Sequence, residues 1–266
     1  MDNRPVLFID SGIGGIPYCR DFLEKNPRES VWYLADRQNF PYGTRSREEL
    51  TAILTVLVKK LSKIVNPKII VLACNTAALS ALDSLRQKFP QLTFVGTVPA
   101  IKPAASASKS GKVGLLGTER TINDPYNQSL ADNGAEIVGI AAPGLVKFVE
   151  MHFEESDTEE KTELAKKYVD LFRAAGADTL VLGCTHFLYL LEEFRREAEP
   201  SIKVFDSVSG ITNRLESLLD DNGGALRTDS NYPENWLLLT GTEPPDSLWQ
   251  KRAEALGFNI FLLDEA

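Results

Sequence analysis

Cysteine, histidine and long apolar runs are all scarce in this chain, and each scarcity removes a class of function. Three cysteines occur among 266 residues, Cys19, Cys74 and Cys184, and no two form a Cys-x-x-Cys pair. That spacing excludes a disulfide framework and a cysteine-based metal site, and it makes the cytoplasm the expected compartment. The two histidines, His152 and His186, stand 34 positions apart (186 − 152), so no metal is expected. No apolar stretch approaches the ~20 residues of a bilayer span, and the run Val6–Ile9 is too short for a signal-peptide core. Positive charge is also in deficit. With 29 Lys and Arg against 37 Asp and Glu, the net charge of −8 argues against a nucleic-acid or anionic-membrane surface. A local cationic pocket for an acidic small molecule stays compatible with it.

What the chain does contain is apolar residues in short blocks, 43% of the total and enough for two cores. Runs rich in Val, Ile and Leu predict strands at Val6–Ile9, Val31–Leu34, Ile69–Ala73, Thr93–Gly96, Lys112–Leu116, Glu136–Ile140, Thr179–Leu182 and Lys203–Phe205. Between them, apolar residues three and four apart predict helices over 47–65 and 159–176, the second closed by Gly176. Continuous rather than alternating apolar strands indicate a sheet covered on both faces. The predicted class is α/β with mostly parallel strands flanked by helices.

"VLACNT" (71–76) and "VLGCTH" (181–186) echo one another, their cysteines 110 residues apart (184 − 74). The echo predicts two similar lobes, 1–97 with 207–266 and 98–206, the C-terminal segment packing back onto the first. The segment 98–112, rich in small residues, is the expected crossing between lobes.

Ligands of open α/β sheets bind beyond the carboxyl ends of the strands. Four polar clusters fall there: Asp10-Ser11-Gly12, Cys74-Asn75-Thr76, Gly117-Thr118 with Thr121, and Cys184-Thr185-His186. The clusters at the two cysteines are expected to open helices, where free N–H groups and the helix dipole favour an anion. Thiols beside short neutral donors suit a small acidic molecule. Each cluster also has a plainer reading: a cysteine at a buried strand end is commonly core filling, and Asp10-Ser11 could cap a helix. Cys19, inside a helical pattern, is expected in the core, and His152, in a charged run, on the surface. "GIGG" (12–15) lacks the Gly-x-Gly-x-x-Gly spacing because position 17 is Pro, and it is no Walker loop.

"FIDSGIGG" (8–15), "FPYGTRS" (40–46), "VLACNTA" (71–77), "LLGTERT" (115–121), "LVKFVE" (145–150) and "LVLGCTHF" (180–187) closely resemble, in order and spacing, the motifs of the glutamate racemase family. The resemblance covers nearly the whole chain. It implies two pseudo-symmetric α/β lobes with the active site in the inter-lobe cleft. It also implies cofactor-independent interconversion of L- and D-glutamate, which supplies D-glutamate for peptidoglycan. Carried onto this sequence, it implies that Cys74 and Cys184 are the acid/base pair, with Asp10, His186 and Glu150 assisting. Asp10, Ser11, Pro41, Tyr42, Gly43, Asn75, Thr76, Thr118, Thr121, Thr185 and His186 would contact the substrate. No cofactor and no partner beyond the small substrate is implied, apart from a homodimer as the candidate assembly. Gly144, Lys147 and Leu188 depart from the family pattern near Glu150 and the entrance.

Inverting an α-carbon requires a proton to leave one face and another to arrive on the opposite face, which explains a mirrored pair of thiols. Two other readings compete: an aspartate racemase of the same superfamily, and a non-catalytic amino-acid binding module.

Overall fold

The computed structural model describes residues 2–131, 134–228 and 233–263. Its strands are β1 (Val6–Asp10), β2 (Val31–Ala35), β3 (Ile69–Leu72), β4 (Phe94–Gly96), β5 (Lys112–Gly117), β6 (Glu136–Ala141), β7 (Thr179–Leu182), β8 (Lys203–Phe205), β9 (Trp236–Thr240) and β10 (Asn259–Leu263). The chain divides into two compact units, Met1–Thr97 with Val208–Ala266, and Val98–Ser207. The first holds a six-stranded sheet in the order β10-β9-β2-β1-β3-β4, the second a four-stranded sheet in the order β6-β5-β7-β8. Among the described residues, every strand pairing in both sheets is parallel.

The central strands are buried along their whole length: β1, β3 and β7 expose no residue. That is the pattern of a sheet covered on both faces, and it accounts for continuous apolar runs where a half-exposed strand would alternate. In the first unit the helix Arg47–Ile64 lays Leu50, Leu54, Leu57, Val58 and Leu61 against the sheet, at the three- and four-residue spacing of one helical face. A capping box starts it: Ser46 Oγ accepts from the Glu49 N–H at 3.1 Å, and Glu49 Oε2 accepts from the Ser46 N–H at 2.9 Å. In the second unit the helix Thr158–Ala174 is capped by Asp157 and followed by Gly176 at φ +78°, a left-handed conformation in which glycine avoids Cβ strain.

Two sequence expectations need correction. The stretch 98–112 does not simply cross over; Ile101–Ala107 is a helix, because Ile101, Ala104 and Ala105 bury against Val113, Leu115 and Val181. The residues after Cys184 form a 3-10 helix, Thr185–Leu190, before an α-helix begins at Leu191. Cys184, Phe187 and Leu190, three residues apart, are all buried, and a three-residue turn stacks them on one side. Among the described residues, no helix is long and apolar enough to cross a membrane.

Asp178, just before β7, ties the start of the second sheet to the turn before β5. It accepts from Ser108 Oγ at 2.6 Å and from the N–H groups of Lys109 and Ser110 at 2.7 and 2.8 Å. Desolvation opposes the charge, but these donors prevail and hold the carboxyl at about 2, below the ordinary 3.8. A lowered folded-state value gives stability that is present above the unfolded pKa and lost as pH falls through the folded one. The second unit should therefore lose stability between about pH 4 and pH 2, and Asp178→Asn should flatten that limb in an acid titration followed by circular dichroism.

Candidate active site

Cys74 and Cys184 occupy corresponding places in their own units. In the first, Ile9 pairs with Leu72 and the Ala73 N–H donates to the Ile9 carbonyl at 2.8 Å. In the second, Leu116 pairs with Leu182 and the Gly183 N–H donates to the Leu116 carbonyl at 2.7 Å. Each cysteine follows, extended, with φ −136° and ψ 120° at Cys74 and φ −130° and ψ 136° at Cys184. Both are 8% exposed, so each thiol is shielded but reachable. Gly183 stands where the first unit has Ala73 because a Cβ there would come within 2.7 Å of Leu115 Cδ1 and 3.0 Å of the Leu116 carbonyl.

The same register shows where the units differ. Asp10, at the end of β1, corresponds to Gly117 at the end of β5, and Thr76 corresponds to His186. In the first unit the titratable neighbour therefore sits on the adjacent strand; in the second it sits on the cysteine's own turn. Asp10 is fully buried, and its Oδ1 accepts from the Gly12 N–H at 3.0 Å and the Ser11 hydroxyl at 3.3 Å. His186 lies with Nδ1 4.0 Å from Cys184 Sγ and Nε2 2.9 Å from Glu150 Oε2. A carboxylate only accepts, so with Glu150 ionised Nε2 carries the proton toward it, and in the neutral imidazole Nδ1 then turns its lone pair to the thiol. Glu150 reaches His186 from the helix Pro143–Met151.

The loop after β1 is shaped by a tyrosine outside the expected set. Tyr33, on β2, donates its hydroxyl to the Gly12 carbonyl at 2.7 Å and accepts from the Gly15 N–H at 3.1 Å. Gly15 is required by close approach: a Cβ would lie 2.7 Å from Ala73 Cβ, one residue before Cys74. Pro41, Tyr42 and Gly43 lie in the turn that precedes the Ser46 cap. Tyr42 is buried and donates to Asp36 Oδ2 at 2.7 Å. Burial first, then the charge of Asp36, pushes its phenol well above the ordinary value, and the charges of Cys74 and Asp10 act in the same direction. It stays a neutral donor, close enough to both groups to feel them. Asp36 was missed in the sequence, although "YLAD" (33–36) ends an apolar run in an aspartate as "LFID" (7–10) does.

Asn75 and Thr76 open the helix Asn75–Lys88 and are buried. Both polar atoms of the Asn75 side chain lack a hydrogen-bond partner although the residue is 2% exposed. A buried amide left unsatisfied costs on the order of 1–3 kcal/mol, and a bound ligand offering both a donor and an acceptor would recover it. In the second unit Thr118 caps the helix Glu119–Asn123, accepting from the Thr121 N–H at 3.2 Å and donating to Thr121 Oγ1 at 3.0 Å. Thr121 is fully buried, and Thr185 lies buried beside Cys184. Of the three departures from the family pattern, Gly144 faces open space, Lys147 is exposed and Leu188 is buried. Cys19 lies in the core with its thiol pushed far up by burial, and His152 is exposed.

Residues 19–214 match the Asp/Glu/Hydantoin racemase family. A glutamate racemase of Roseiflexus sp. is 39% identical over 223 residues, 83% of this chain and 81% of that one. Another, from Shewanella piezotolerans, is 35% identical over 263 residues, 96% and 94% of the two chains. Among solved structures, Escherichia coli glutamate racemase in complex with L-glutamate and an activator superposes with a TM-score of 0.84 at 28% identity, covering 99% of this chain and 98% of its own.

Proposed function

We propose that this chain, which belongs to the Asp/Glu/Hydantoin racemase family and is an isomerase, interconverts L- and D-glutamate by proton transfer through Cys74 and Cys184 without a cofactor. The observation that carries the reading is the matched pair of cysteines. Two thiols of the same backbone conformation and exposure close corresponding strands, each with a different titratable group at hand. One thiolate removes the α-proton while the other, as a thiol, returns one to the opposite face, and the roles exchange in the reverse direction. Asp10 supports the first thiol; His186, oriented by Glu150, supports the second. The developing negative charge on the α-carboxylate is met by neutral donors, Asn75, Thr76 and Thr185 foremost. Glutamate is favoured over aspartate by the named relatives, and a role in supplying D-glutamate for peptidoglycan follows from that product.

The test is incubation of each glutamate enantiomer in D₂O. Each should gain one α-deuterium on inversion, and aspartate should be turned over far more slowly. Exchange without inversion, or aspartate as the better substrate, would defeat the reading. A His186→Asn variant refines it. Because enantiomers equilibrate at unity, kcat/KM must fall equally in both directions. The selective effect must therefore appear in kcat, with L-to-D slowed more than D-to-L; equal losses would separate His186 from Cys184.

A further inference from the structure

We propose that Thr240 is a positioning residue that holds Tyr42 in place through the buried carboxylate of Asp36. β9 lies beside β2 with Leu239 opposite Ala35, so Thr240 and Asp36 leave the sheet together. The Thr240 hydroxyl accepts from the Gln38 N–H at 3.1 Å and donates to Asp36 Oδ1 at 2.7 Å. Occupying its lone pair in that way leaves its single proton directed at the carboxylate. Asp36 also accepts from Tyr42 and from Asn39 Nδ2, at 3.1 and 3.0 Å to its two oxygens, and its own N–H donates to the Asp10 carbonyl at 2.8 Å. Arg37 Nε fixes the same turn to the Thr240 carbonyl at 3.2 Å.

The three residues that the proposal links are hidden: Asp36 is 0% exposed, Tyr42 1% and Thr240 4%. A buried carboxyl group needs hydrogen-bond partners on each oxygen, and Thr240 supplies one of the two on Oδ1. Without the Thr240 hydroxyl, Oδ1 keeps only the Asn39 contact at 3.1 Å, so the carboxylate is free to turn out of the orientation in which Oδ2 meets the Tyr42 hydroxyl. Because the Asp36 N–H is bonded to the Asp10 carbonyl, and the charges of Cys74 and Asp10 act on Tyr42, the loss reaches the reacting end of the first unit. The kinetic part of this inference rests on the racemase reading; the structural part does not.

Thr240→Val keeps the shape and removes the hydroxyl, while Thr240→Ser keeps the hydroxyl. Two readouts decide the matter. Amide exchange over residues 36–45, followed by mass spectrometry without substrate, should accelerate roughly tenfold in Thr240→Val, the scale of one lost buried hydrogen bond. It should stay near wild type in Thr240→Ser and in segments of the second unit for both variants. With glutamate, Thr240→Val should raise KM roughly five- to tenfold with kcat changed less than about threefold, and Thr240→Ser should restore it. Unchanged exchange in Thr240→Val overturns the proposal, as does a serine variant that behaves like valine, or an unchanged KM in an enzyme that does turn glutamate over. If the wild-type protein fails to racemise glutamate, the racemase reading falls and the exchange measurement alone decides Thr240.

Discussion

Cys74→Ala and Cys184→Ala should each abolish net racemisation, with losses of at least about 10²–10⁴ in turnover, the usual range for one positioned acid or base. Neither change should disturb the fold. Each removes one sulfur atom from a site that is already 8% exposed, so no sealed cavity is created. The two variants should still differ from a dead protein. With one thiol gone, the other can take up and return a proton on its own face, so each variant should exchange the α-hydrogen of one enantiomer without inverting it. The enantiomer should switch between the two variants. Nuclear magnetic resonance in D₂O reads this directly, and near-normal inversion by either variant would sink the assignment of both cysteines.

The second large effect is on stability. Lys68 and Glu29 form an ion pair at 2.5 Å with their side chains 0% and 3% exposed. The ammonium makes two more bonds, to the carbonyls of Asp2 at 2.9 Å and Leu226 at 2.8 Å, which uses all three of its protons. Glu29 also accepts from the Thr228 N–H at 3.2 Å, so the pair ties both segments of the first unit together, holding Asp2 and residues 226–228 against Glu29 and Lys68. Lys68→Met would strand a buried carboxylate and should cost about 3–5 kcal/mol, a large share of the ~5–15 kcal/mol by which a domain is stable. The double variant Lys68→Met/Glu29→Gln should recover much of that loss, because no unpaired charge remains inside. Trp32, Trp236 and Trp249 all belong to the first unit, so the shift in urea midpoint can be followed by tryptophan fluorescence. A single variant within about 1 kcal/mol of wild type would overturn the claim that the first unit depends on this ion pair being intact.

How much of this was legible in the sequence depends on whether a feature is local. The buried strands announce themselves because each is a short apolar block, and the cysteine clusters because they end such blocks. The helix Arg47–Ile64 is legible in its periodicity and in its Ser46–Glu49 start. The 3-10 turn after Cys184 was not, since Thr-His-Phe-Leu-Tyr-Leu suits either helix and only the packing of Phe187 and Leu190 decides. The helix in 98–112 was hidden by small residues and proline, which resemble a linker until Ile101 finds its core. Asp36 and Thr240 illustrate the hardest case: their bond joins residues 204 apart in the chain, and nothing near either one predicts it.

The first sheet takes β9 and β10 from the last thirty or so residues of the chain, hydrogen-bonding β9 directly to β2. During synthesis, β2 therefore leaves the ribosome as an open edge and stays one while the whole of Val98–Ser207 is made. That middle unit, contiguous in sequence, has its four strands in hand earlier and is free to fold first, reversing the usual order in which the N-terminal domain leads. The carboxylate bonded to Tyr42 receives its last donor only when residue 240 has emerged, so the turn that carries Tyr42 stays one bond short until after the middle unit has been made.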